Sequence, residues 1–360
     1  MSSSVRDVSL AIIIVSYRVP LLVEQCLEAV EVATLGLPKS EVWVVDNASG
    51  DGSVEYLKAK FPEVRYIENA ENVGFSRANN QAIRETSADF ILLLNPDTII
   101  TSTSLRESID EMLLRPRCGA LGLRMYDIRG RYLRESKRGF PTPWASFCRF
   151  VGLCSLFPHS SRFAHYYMGH LSDDEPQCVE VLIGAYMFMR RSVLDKVGLL
   201  DEDFFMYGED IDLSYRIHLA GYECRYLPIP MIHYKGESSA LNSERYIRSF
   251  YGAMKIFYAK YYPDTRYILG RLFIGCAIEV VACLSRLRSR LRSGKTKINL
   301  ELIPLALETT EGWPEYGSHV LVDKRCYSYD DIVCYIVRNA HRGYVYHFLG
   351  TDGRVISPKA

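Results

Sequence analysis

Short apolar runs alternate with helical patterns along the first hundred residues of this chain. Four runs of four to six residues are typical of buried strands, namely Leu10–Val15, Val42–Val45, Val64–Ile67 and Phe90–Leu94. Between them, apolar residues recur at helical spacing over Pro20–Val32, Ser53–Lys60 and Ser76–Glu85. Continuous apolar strands separated by helices predict an α/β fold, with a mostly parallel sheet flanked by helices on both faces.

The pattern is more varied in the next part of the chain. A helix is predicted over Thr101–Arg115, and a buried strand over Val179–Met189 that Gly184 interrupts. A second helix is predicted over Asp210–Leu219, where an acidic first turn suits the helix dipole. Residues 125–175 are rich in Gly, Pro, Ser and aromatics and match neither period.

Beyond residue 243 the composition changes. Helical patterns cover Glu244–Tyr262 and Tyr267–Arg292, and short apolar segments after residue 312 are typical of a small α+β unit. We therefore predict a main α/β domain at residues 1–243, a helical segment at 244–297 and a small C-terminal appendage at 298–360.

Composition excludes several classes of protein. Lys plus Arg equals Asp plus Glu at 43 each, so bulk charge does not favour nucleic-acid binding. The ten cysteines include no CxxC pair, which argues against a zinc ribbon, and a disulfide framework is not expected in a chain this long. The N-terminal sequence lacks a signal-peptide pattern, and no apolar run reaches eighteen residues. A cytoplasmic, reduced protein is expected.

Two carboxylates directly follow predicted strands. Asp46 and Asp97 would share the carboxyl edge of a parallel sheet with Asn69, where open α/β sheets bind ligands. Asp97, in the sequence NPDT, could reach a Mg²⁺ or Mn²⁺ ion that bridges two phosphates, or could simply form a turn. Asp46 could accept hydrogen bonds from a nucleobase or ribose, or could belong to a loop that caps the next helix at Ser49 or Asp51.

An acidic cluster and one histidine complete the candidate chemistry. Glu209, Asp210 and Asp212 lie within four residues and repel one another unless a cation, a substrate or a dipole offsets the repulsion. Asp210 could act as a general base toward a hydroxyl, or could merely complement the helix dipole. His233, in PIPMIHY, could bind Mn²⁺ as a neutral imidazole, or could be a satisfied structural residue.

In combination, these motifs resemble family 2 glycosyltransferases, and most of all the rhamnosyltransferase-like branch. The resemblance covers roughly residues 8 to 260. It rests on VSYR at Val15–Arg18, VVDNASGDGS at Val44–Ser53, NVGFSRANN at Asn72–Asn80, LLLNPDT at Leu92–Thr98, GAYMFMRR at Gly184–Arg191, GLLDEDFFMYGEDIDLSYRIHLAGY at Gly198–Tyr222, and His233.

The resemblance implies a GT-A fold and inverting, metal-dependent transfer of a sugar, rhamnose from dTDP-rhamnose being the first choice. The acceptor would be a hydroxyl of a glycan or lipid-linked glycan. Asp210 would be the catalytic base, and Asp97 and His233 would hold Mg²⁺ or Mn²⁺, with NPD in place of a full DxD. The substrates would contact Ser16, Tyr17, Asp46, Gly74, Asn95, Gly184 and Glu209, with Asp46 at the nucleobase and Glu209 at the acceptor.

Residues 267–297 join an apolar body to a basic end, with Arg286, Arg288, Arg290 and Arg292 in alternation. Such a helix could lie on an anionic membrane surface at the inner face of the cell membrane, or could pack inside the protein with a solvated end. Two other functions stay open. A nucleotidyltransferase would usually need a Gly-rich basic phosphate loop, for which SYRVPLL offers only Arg18. A catalytically degenerate scaffold would bind sugar nucleotide without turning it over.

Overall fold

The computed structural model describes residues 8–37, 39–235, 244–262, 302–307, 313–350 and 352–358. Its centre is a nine-stranded sheet in the order β3-β2-β1-β4-β8-β6-β9-β5, with β7 paired to β9. The strands are β1 (Ser9–Ser16), β2 (Lys39–Asp46), β3 (Arg65–Glu68), β4 (Phe90–Leu94), β5 (Thr98–Ile99), β6 (Cys118–Tyr126), β7 (Gln177–Val179), β8 (Tyr186–Arg190) and β9 (Glu223–His233).

Helices cover this sheet on both faces. They are α1 (Pro20–Thr34), α2 (Ser53–Lys60), α3 (Phe75–Glu85), α4 (Ser104–Leu114), α5 (Pro143–Phe150), α6 (Leu153–Leu156), α7 (Arg191–Val197), α8 (Glu209–Leu219) and α9 (Glu244–Tyr261). In β1, Leu10, Ile12 and Ile14 enter one core cluster, while Ala11 and Ile13 enter a second. Because both faces are buried, the strand reads as a continuous apolar run. The predicted α/β fold is confirmed.

The parallel half of the sheet places the expected side chains at one edge. β1 pairs with β2 and β4, and β2 with β3, all in parallel. Ser16 lies opposite Asp46 in this register, and the backbone N–H of Asn69 donates to the Asp46 carbonyl at 2.9 Å. Asp97 follows β4 by three residues, so the carboxyl ends of these strands form the floor of one crevice.

One predicted strand is wrong. The stretch Val179–Met189 is not a single strand, because β7 ends at Val179 and β8 begins at Tyr186. Between them the backbone leaves the main sheet: Val181 donates its N–H to the carbonyl of Arg138 at 2.9 Å, and Gly184 donates its own to Asp210 at 3.3 Å. This segment becomes a wall of the crevice.

The C-terminal residues form a four-stranded sheet of β10 (Ile303–Pro304), β11 (His319–Asp323), β12 (Val345–Leu349) and β13 (Val355–Ile356), with helix α10 (Tyr329–Arg338) between β11 and β12. Its side chains Val320 and Phe348 belong to the same hydrophobic cluster as Leu92 of β4. The small α+β unit read from the sequence is thus present, and its core is continuous with that of the main sheet. The domain boundaries at residues 243 and 297 stay predictions.

A buried ion pair fastens this unit to helix α1. Lys324 Nζ lies 2.8 Å from Glu28 Oε2, and its side chain is only 4% exposed. The Tyr329 hydroxyl donates to the same carboxylate oxygen at 2.5 Å. Burial by itself raises the pKa of Glu28, but hydrogen bonds from Lys324 and Tyr329 hold it below its usual value.

In the described part of the chain, no helix is long and apolar enough to cross a membrane. The helix expected over Tyr267–Arg292 and the basic run that ends at Lys297 lie outside the described residues.

Replacing Lys324 by Met should reduce the free energy of unfolding by about 1–3 kcal/mol, because the partly buried Glu28 carboxylate loses the nearer of its two cations and keeps only Lys60 at 3.3 Å. Urea denaturation followed by circular dichroism measures the loss. The matched control is Arg325→Met, which removes a side chain that is 54% exposed in its pair with Asp323 and should leave the stability unchanged. Equal effects of the two substitutions would contradict a structural role for the Lys324–Glu28 pair.

Candidate active site

Strand pairing brings Asp97 and His233 together. β5 runs antiparallel to the end of β9, with Thr98 opposite His233, so the preceding Asp97 lies beside the histidine ring. The Asp97 Oδ1 atom is 3.4 Å from His233 Nε2, and both residues are buried. The backbone N–H of Tyr234 also donates to the Asp97 carbonyl at 3.0 Å, which holds the end of β9 against the residue before β5.

These two side chains fit a divalent cation. The Nδ1 atom of His233 is buried without a hydrogen-bond partner in the described structure, so the ring orientation is not explained by protein contacts alone. Carboxylate oxygen and neutral imidazole are both suitable ligands for Mn²⁺. Among the described residues, no group of three or more His, Cys, Asp or Glu side chains could hold a metal. A cation here would therefore take its other ligands from phosphate oxygens or water.

A cavity of about 260 Å³ opens beside this pair. Seven of the ten residues singled out from the sequence line it, namely Tyr17, Asn95, Asp97, Gly184, Glu209, Asp210 and His233. They come from the ends of β1 and β4, the segment before β8, the start of α8 and the end of β9. The cavity is therefore built from five separate parts of the chain.

The other three singled-out residues, Ser16, Asp46 and Gly74, do not line this cavity. The two carboxylate oxygens of Asp46 accept hydrogen bonds from Ser49, at 2.8 Å from its N–H and 2.6 Å from its hydroxyl. Asp46 thus shapes the loop after β2. Ser16 is buried, and its hydroxyl has no hydrogen-bond partner in the described structure. Contact of these residues with a nucleotide stays a prediction.

Gly74 is required by a close backbone approach. Its φ is +86°, and a Cβ atom there would lie 2.6 Å from the carbonyl oxygen of Phe205. The neighbouring Phe75 donates its N–H to that same oxygen at 2.7 Å. Gly74 therefore lets the loop before α3 contact the loop before α8, which carries Tyr207 into the cavity.

Asn47 is a cavity residue that we did not single out from the sequence. Its side-chain amide donates to the Gly74 carbonyl at 3.2 Å and accepts the N–H of Val73 at 3.1 Å. It also accepts a hydrogen bond from Asn69 at 3.2 Å. Asn47 ties the ends of β2 and β3 to the Asn72–Gly74 loop. Its position directly after Asp46, at the end of a predicted strand, could have identified Asn47 as a candidate site residue from the sequence.

Helix α8 presents two carboxylates to the cavity. The helix begins after Gly208, whose φ of +94° turns the chain sharply, and both Glu209 and Asp210 lie in its first turn. Asp210 is held on several sides. Its Oδ2 atom is 2.5 Å from an Arg138 Nη and accepts the Gly184 N–H at 3.3 Å, while Oδ1 accepts the Ile211 N–H at 2.8 Å.

Arg138 is the main functional residue that the sequence analysis missed. Its side chain is 10% exposed, and besides Asp210 it donates to the Leu182 carbonyl at 2.5 Å. Burial by itself lowers the pKa of this guanidinium, but the adjacent Asp210 carboxylate raises it above its usual value. Arg138 lies in residues 125–175, where the sequence shows neither a helical nor a strand period. Only its basic side chain could have identified it as a candidate site residue.

Glu209 lies in a different electrostatic environment. Its Oε2 atom is buried and has no hydrogen-bond partner in the described residues. Burial, and then repulsion from the adjacent Asp210, raises the pKa of Glu209 to about 8. At neutral pH the Glu209 side chain is therefore mostly protonated and can donate a hydrogen bond.

Asp212, the third acid, does not belong to the cavity. It is fully buried, accepts a bond from Arg216 at 2.8 Å and a second from the Tyr261 hydroxyl at 2.7 Å. The Tyr261 contact joins α8 to α9. The repulsion expected from three neighbouring acids is thus relieved by two separate arginines and by protonation of Glu209.

Basic and aromatic side chains also line the cavity. Lys235 pairs with Glu135 at 2.7 Å, and both line the cavity. The guanidinium of Arg149 lies 4.4 Å from the ring centre of Tyr166, and both of these residues line it as well. The cavity lining therefore combines the acidic side chains of Asp97, Glu209 and Asp210 with the cations of Arg138, Arg149 and Lys235.

Comparison with known proteins decides the family. A model of glycosyl transferase family 2 matches residues 11–198, slightly more than half of the chain. The chain belongs to glycosyl transferase family 2. The family resemblance seen in the motifs is thereby confirmed, and the chain is a glycosyltransferase. Glu209, Asp210 and His233 lie beyond the matched residues.

Two curated relatives of this glycosyltransferase illustrate the range of the family. It is 28% identical over 230 residues to the N-acetylglucosaminyl-diphospho-decaprenol L-rhamnosyltransferase of Mycobacterium tuberculosis, an alignment that covers 61% of this chain and 74% of the relative. It is 29% identical over 187 residues to the low-salt glycan biosynthesis hexosyltransferase Agl10 of Haloferax volcanii, covering 49% of this chain and 53% of that protein.

Among solved structures, the mannosyltransferase PcManGT from Pyrobaculum calidifontis in complex with GDP-Man and Mn²⁺ shares the fold. The TM-score is 0.50 with 17% sequence identity, over 80% of this chain and 76% of that chain. The GT-A architecture expected from the motifs is confirmed.

In the glycosyltransferase, Arg138→Met should lower turnover by about tenfold or more, since the Asp210 carboxylate loses the ion pair that orients it in the cavity. Arg138→Lys keeps a cation and should be affected less.

The control for this prediction is Arg124→Met, which removes an arginine paired with the exposed Asp174 away from the cavity. Thermal melting of each variant separates lost folding from lost turnover, because breaking a buried ion pair also destabilises a protein. Equal turnover of Arg138→Met and the wild type would argue against a role of Arg138 in holding Asp210 in place.

A second prediction concerns stability and pH. The pKa of Glu209 is raised from 4.5 to about 8 in the folded protein, which therefore holds a proton that the unfolded chain has released. Stability should fall as pH rises from about 4.5 to about 8. Glu209→Gln should remove that fall and gain about 1 kcal/mol or more over the wild type at pH 8.

Urea denaturation at several pH values measures this effect. Glu202→Gln is the control. Hydrogen bonds from Asn80 and Arg84 lower the pKa of Glu202, so the contribution of Glu202 to stability rises with pH, opposite to that of Glu209. If the wild type and Glu209→Gln have parallel stability curves, Glu209 is not protonated in the folded protein.

Proposed function

We propose that this glycosyltransferase moves a sugar from a nucleoside diphosphate donor to a hydroxyl of a glycan or lipid-linked glycan, with inversion at the anomeric carbon. The observation that carries the proposal is the cavity itself, whose lining includes Asp97 and His233 together with Glu209 and Asp210. Together these side chains offer a site for a diphosphate-bound cation and a pair of carboxylates for proton transfer.

For the donor we propose dTDP-rhamnose. The family motifs of the chain resemble the rhamnosyltransferase-like branch, and a relative with 28% identity is named as an L-rhamnosyltransferase. The acceptor proposal has similar support, because the acceptor in that relative's name is an N-acetylglucosaminyl-diphospho-decaprenol, a lipid-linked sugar. Synthesis of a cell-surface polysaccharide at the cytoplasmic face of the membrane is the process that fits both.

Asp97 and His233 would hold Mg²⁺ or Mn²⁺. When bound, such a cation supplies charge neutralisation for the departing diphosphate. PcManGT, which shares the fold, carries Mn²⁺ together with its nucleotide sugar. We propose that Tyr17, Asn95 and Gly184 contact the donor, and that Ser16, Asp46 and Gly74 organise or contact its nucleotide part.

The acceptor hydroxyl attacks the anomeric carbon and forms the new glycosidic bond. The bond from that carbon to the diphosphate oxygen breaks, and its electron pair leaves with the nucleoside diphosphate. In our proposal Asp210 accepts the proton of the acceptor hydroxyl, while the hydrogen bonds from Arg138, Gly184 and Ile211 fix the direction of its carboxylate. Glu209, protonated at neutral pH, donates a hydrogen bond to an acceptor oxygen.

Asp97→Ala and Asp210→Asn should separate donor binding from chemistry. Thermal melting is measured with a panel of nucleoside diphosphates and their sugars, with and without Mn²⁺ or Mg²⁺. One nucleotide at a hundredfold its dissociation constant should stabilise the wild type by about 2.7 kcal/mol. The shift should require the cation, survive in Asp210→Asn and vanish in Asp97→Ala.

The same proteins are then assayed for transfer of the sugar so identified. Asp210→Asn should lower turnover by ~10²–10⁴-fold, the usual contribution of general base catalysis. Asp195→Asn, a substitution of a 59% exposed side chain, is the control and should behave as wild type. Full activity of Asp210→Asn would remove Asp210 from the role of base. A thermal shift with one nucleotide but no transfer of its sugar would favour a degenerate scaffold instead, and no shift with any nucleotide would contradict nucleotide-sugar binding.

A further inference from the structure

The segment between Glu135 and Asp173 carries positive charge without any compensating acid of its own. Residues 136–172 contain Lys137, Arg138, Arg149 and Arg162 but no Asp or Glu. In a chain with 43 acidic residues among 360, this gap is a strong local departure from the average. Lys137 and Arg138 are buried and paired with Asp173 and Asp210, so Arg149 and Arg162 supply the exposed positive charge of this segment. No acid within the segment offsets these two, so a surface that carries them favours an anionic partner.

The same segment concentrates exposed apolar side chains. Twelve large hydrophobic residues are exposed in the described part of the chain, and five of them lie between residues 144 and 157. These five are Trp144 (44% exposed), Phe150 (46%), Val151 (47%), Leu156 (68%) and Phe157 (45%). Single exposed hydrophobic residues are ordinary, but a cluster of this kind marks an interaction site.

Ring contacts join two of these side chains, Trp144 and Phe157, through the ring of Phe163. Trp144 stacks on Phe147 with ring centres 5.7 Å apart and lies 6.2 Å from Phe163. Phe157 reaches the same Phe163 ring at 5.3 Å. The exposed Arg162 lies 5.7 Å from Trp144, at the edge of the cluster. We call Trp144, Phe150, Val151, Leu156, Phe157 and Arg162 the α5–α6 surface.

Buried side chains of α5, α6 and the following segment support this surface. Ala145, Cys148, Cys154 and Tyr166 form a small buried cluster of their own under helices α5 and α6. The Trp144 indole N–H donates to the Arg162 carbonyl at 3.1 Å, which fixes the ring. The aromatic side chains are therefore presented by a packed element of the fold.

The element that carries the surface also borders the active-site cavity. Arg149 of α5 and Tyr166 line that cavity. Ser146 of α5 lies 3.0 Å from the hydroxyl of Tyr258 in α9, a helix that contributes Phe250 and Met254 to the cavity. A partner bound to the α5–α6 surface would thus lie next to the active-site cavity.

We infer that the α5–α6 surface docks this glycosyltransferase onto an anionic lipid bilayer. Trp and Phe side chains next to Arg are suited to the interface between headgroups and acyl chains, and anionic lipids attract basic segments. Docking there would bring the cavity to the membrane surface, where a lipid-linked acceptor is held. The inference rests on the proposed function for its acceptor, but it names a different surface from the basic run at residues 286–297.

Sedimentation with phosphatidylcholine vesicles, with and without phosphatidylglycerol, tests the inference. Wild-type protein should bind the anionic vesicles, and Trp144→Ser/Phe157→Ser should lower the partition coefficient roughly tenfold or more. The control is Leu35→Ser/Leu114→Ser, which replaces two apolar residues that are 72% and 73% exposed elsewhere. It should bind as wild type. Thermal melting establishes that both double variants are folded.

Three outcomes would overturn the inference. The first is equal vesicle binding by the two double variants. The second is loss of binding only when Arg286, Arg288, Arg290 and Arg292 are replaced by Gln. The third is a self-associated wild type that Trp144→Ser/Phe157→Ser converts to monomer without any change in vesicle binding, because the surface would then join copies of this chain.

Transfer assays keep this test apart from that of the proposed function. With a water-soluble acceptor, Trp144→Ser/Phe157→Ser should retain wild-type turnover. With a lipid-linked acceptor in anionic vesicles, its turnover should fall together with vesicle binding. Failure of the wild type to transfer sugar to either acceptor would reject the proposed function and leave the vesicle result unaffected.

Discussion

Strand β9 is the element on which the rest of this structure depends. It pairs in parallel with β6 along most of its length, antiparallel with β7, and at its end antiparallel with β5. The ladder with β6 is irregular, since Leu123 pairs with Leu227 while the next residue, Arg124, pairs with Pro230. Proline lacks a backbone N–H, so Pro228 and Pro230 cannot both continue a regular ladder. The resulting shift sets the position of His233.

The end of β9 also ties the main sheet to the C-terminal unit. The hydroxyl of Tyr234 donates to Gln25 of α1 at 2.6 Å, and its ring lies 6.3 Å from Phe348 of β12. His233 and Tyr234 therefore link the candidate metal-binding pair, helix α1 and the C-terminal four-stranded sheet. This continuity explains why the C-terminal residues share a hydrophobic cluster with β4 and α1 and do not form a separate core.

Electrostatics at the start of α8 shows how one acidic motif is divided among different tasks. Asp212 is neutralised by Arg216 of its own helix, and Asp210 by Arg138 from a distant segment. Glu209 has no cation at hydrogen-bond distance and is kept protonated by burial. Adjacent carboxylates with such different surroundings can act as proton acceptor and hydrogen-bond donor at the same pH.

The sequence by itself determined the helices of the first hundred residues and all of their strands except the short β5, and with them the α/β fold class. Strands buried on both faces produce apolar runs, and helices at the surface produce a 3.6-residue period, so both can be recognised from the local sequence. Residue type and position drew attention to Asp97, Glu209, Asp210 and His233, and the resemblance of the motifs to family 2 glycosyltransferases added Tyr17, Asn95 and Gly184; all seven line the cavity. Sheet geometry alone accounts for Asp97, because the carboxyl ends of parallel strands meet at one edge.

Only the tertiary structure decided which residues act together. Asp97 meets His233 through the pairing of β5 with β9, and Arg138 meets Asp210 through a segment that has no periodic pattern. The apparent strand at Val179–Met189 is split because its middle forms the cavity wall. Long-range partners of this kind follow from packing of the whole chain: a buried charge must find its counter-ion in space, and nothing in the neighbouring sequence records where that counter-ion lies.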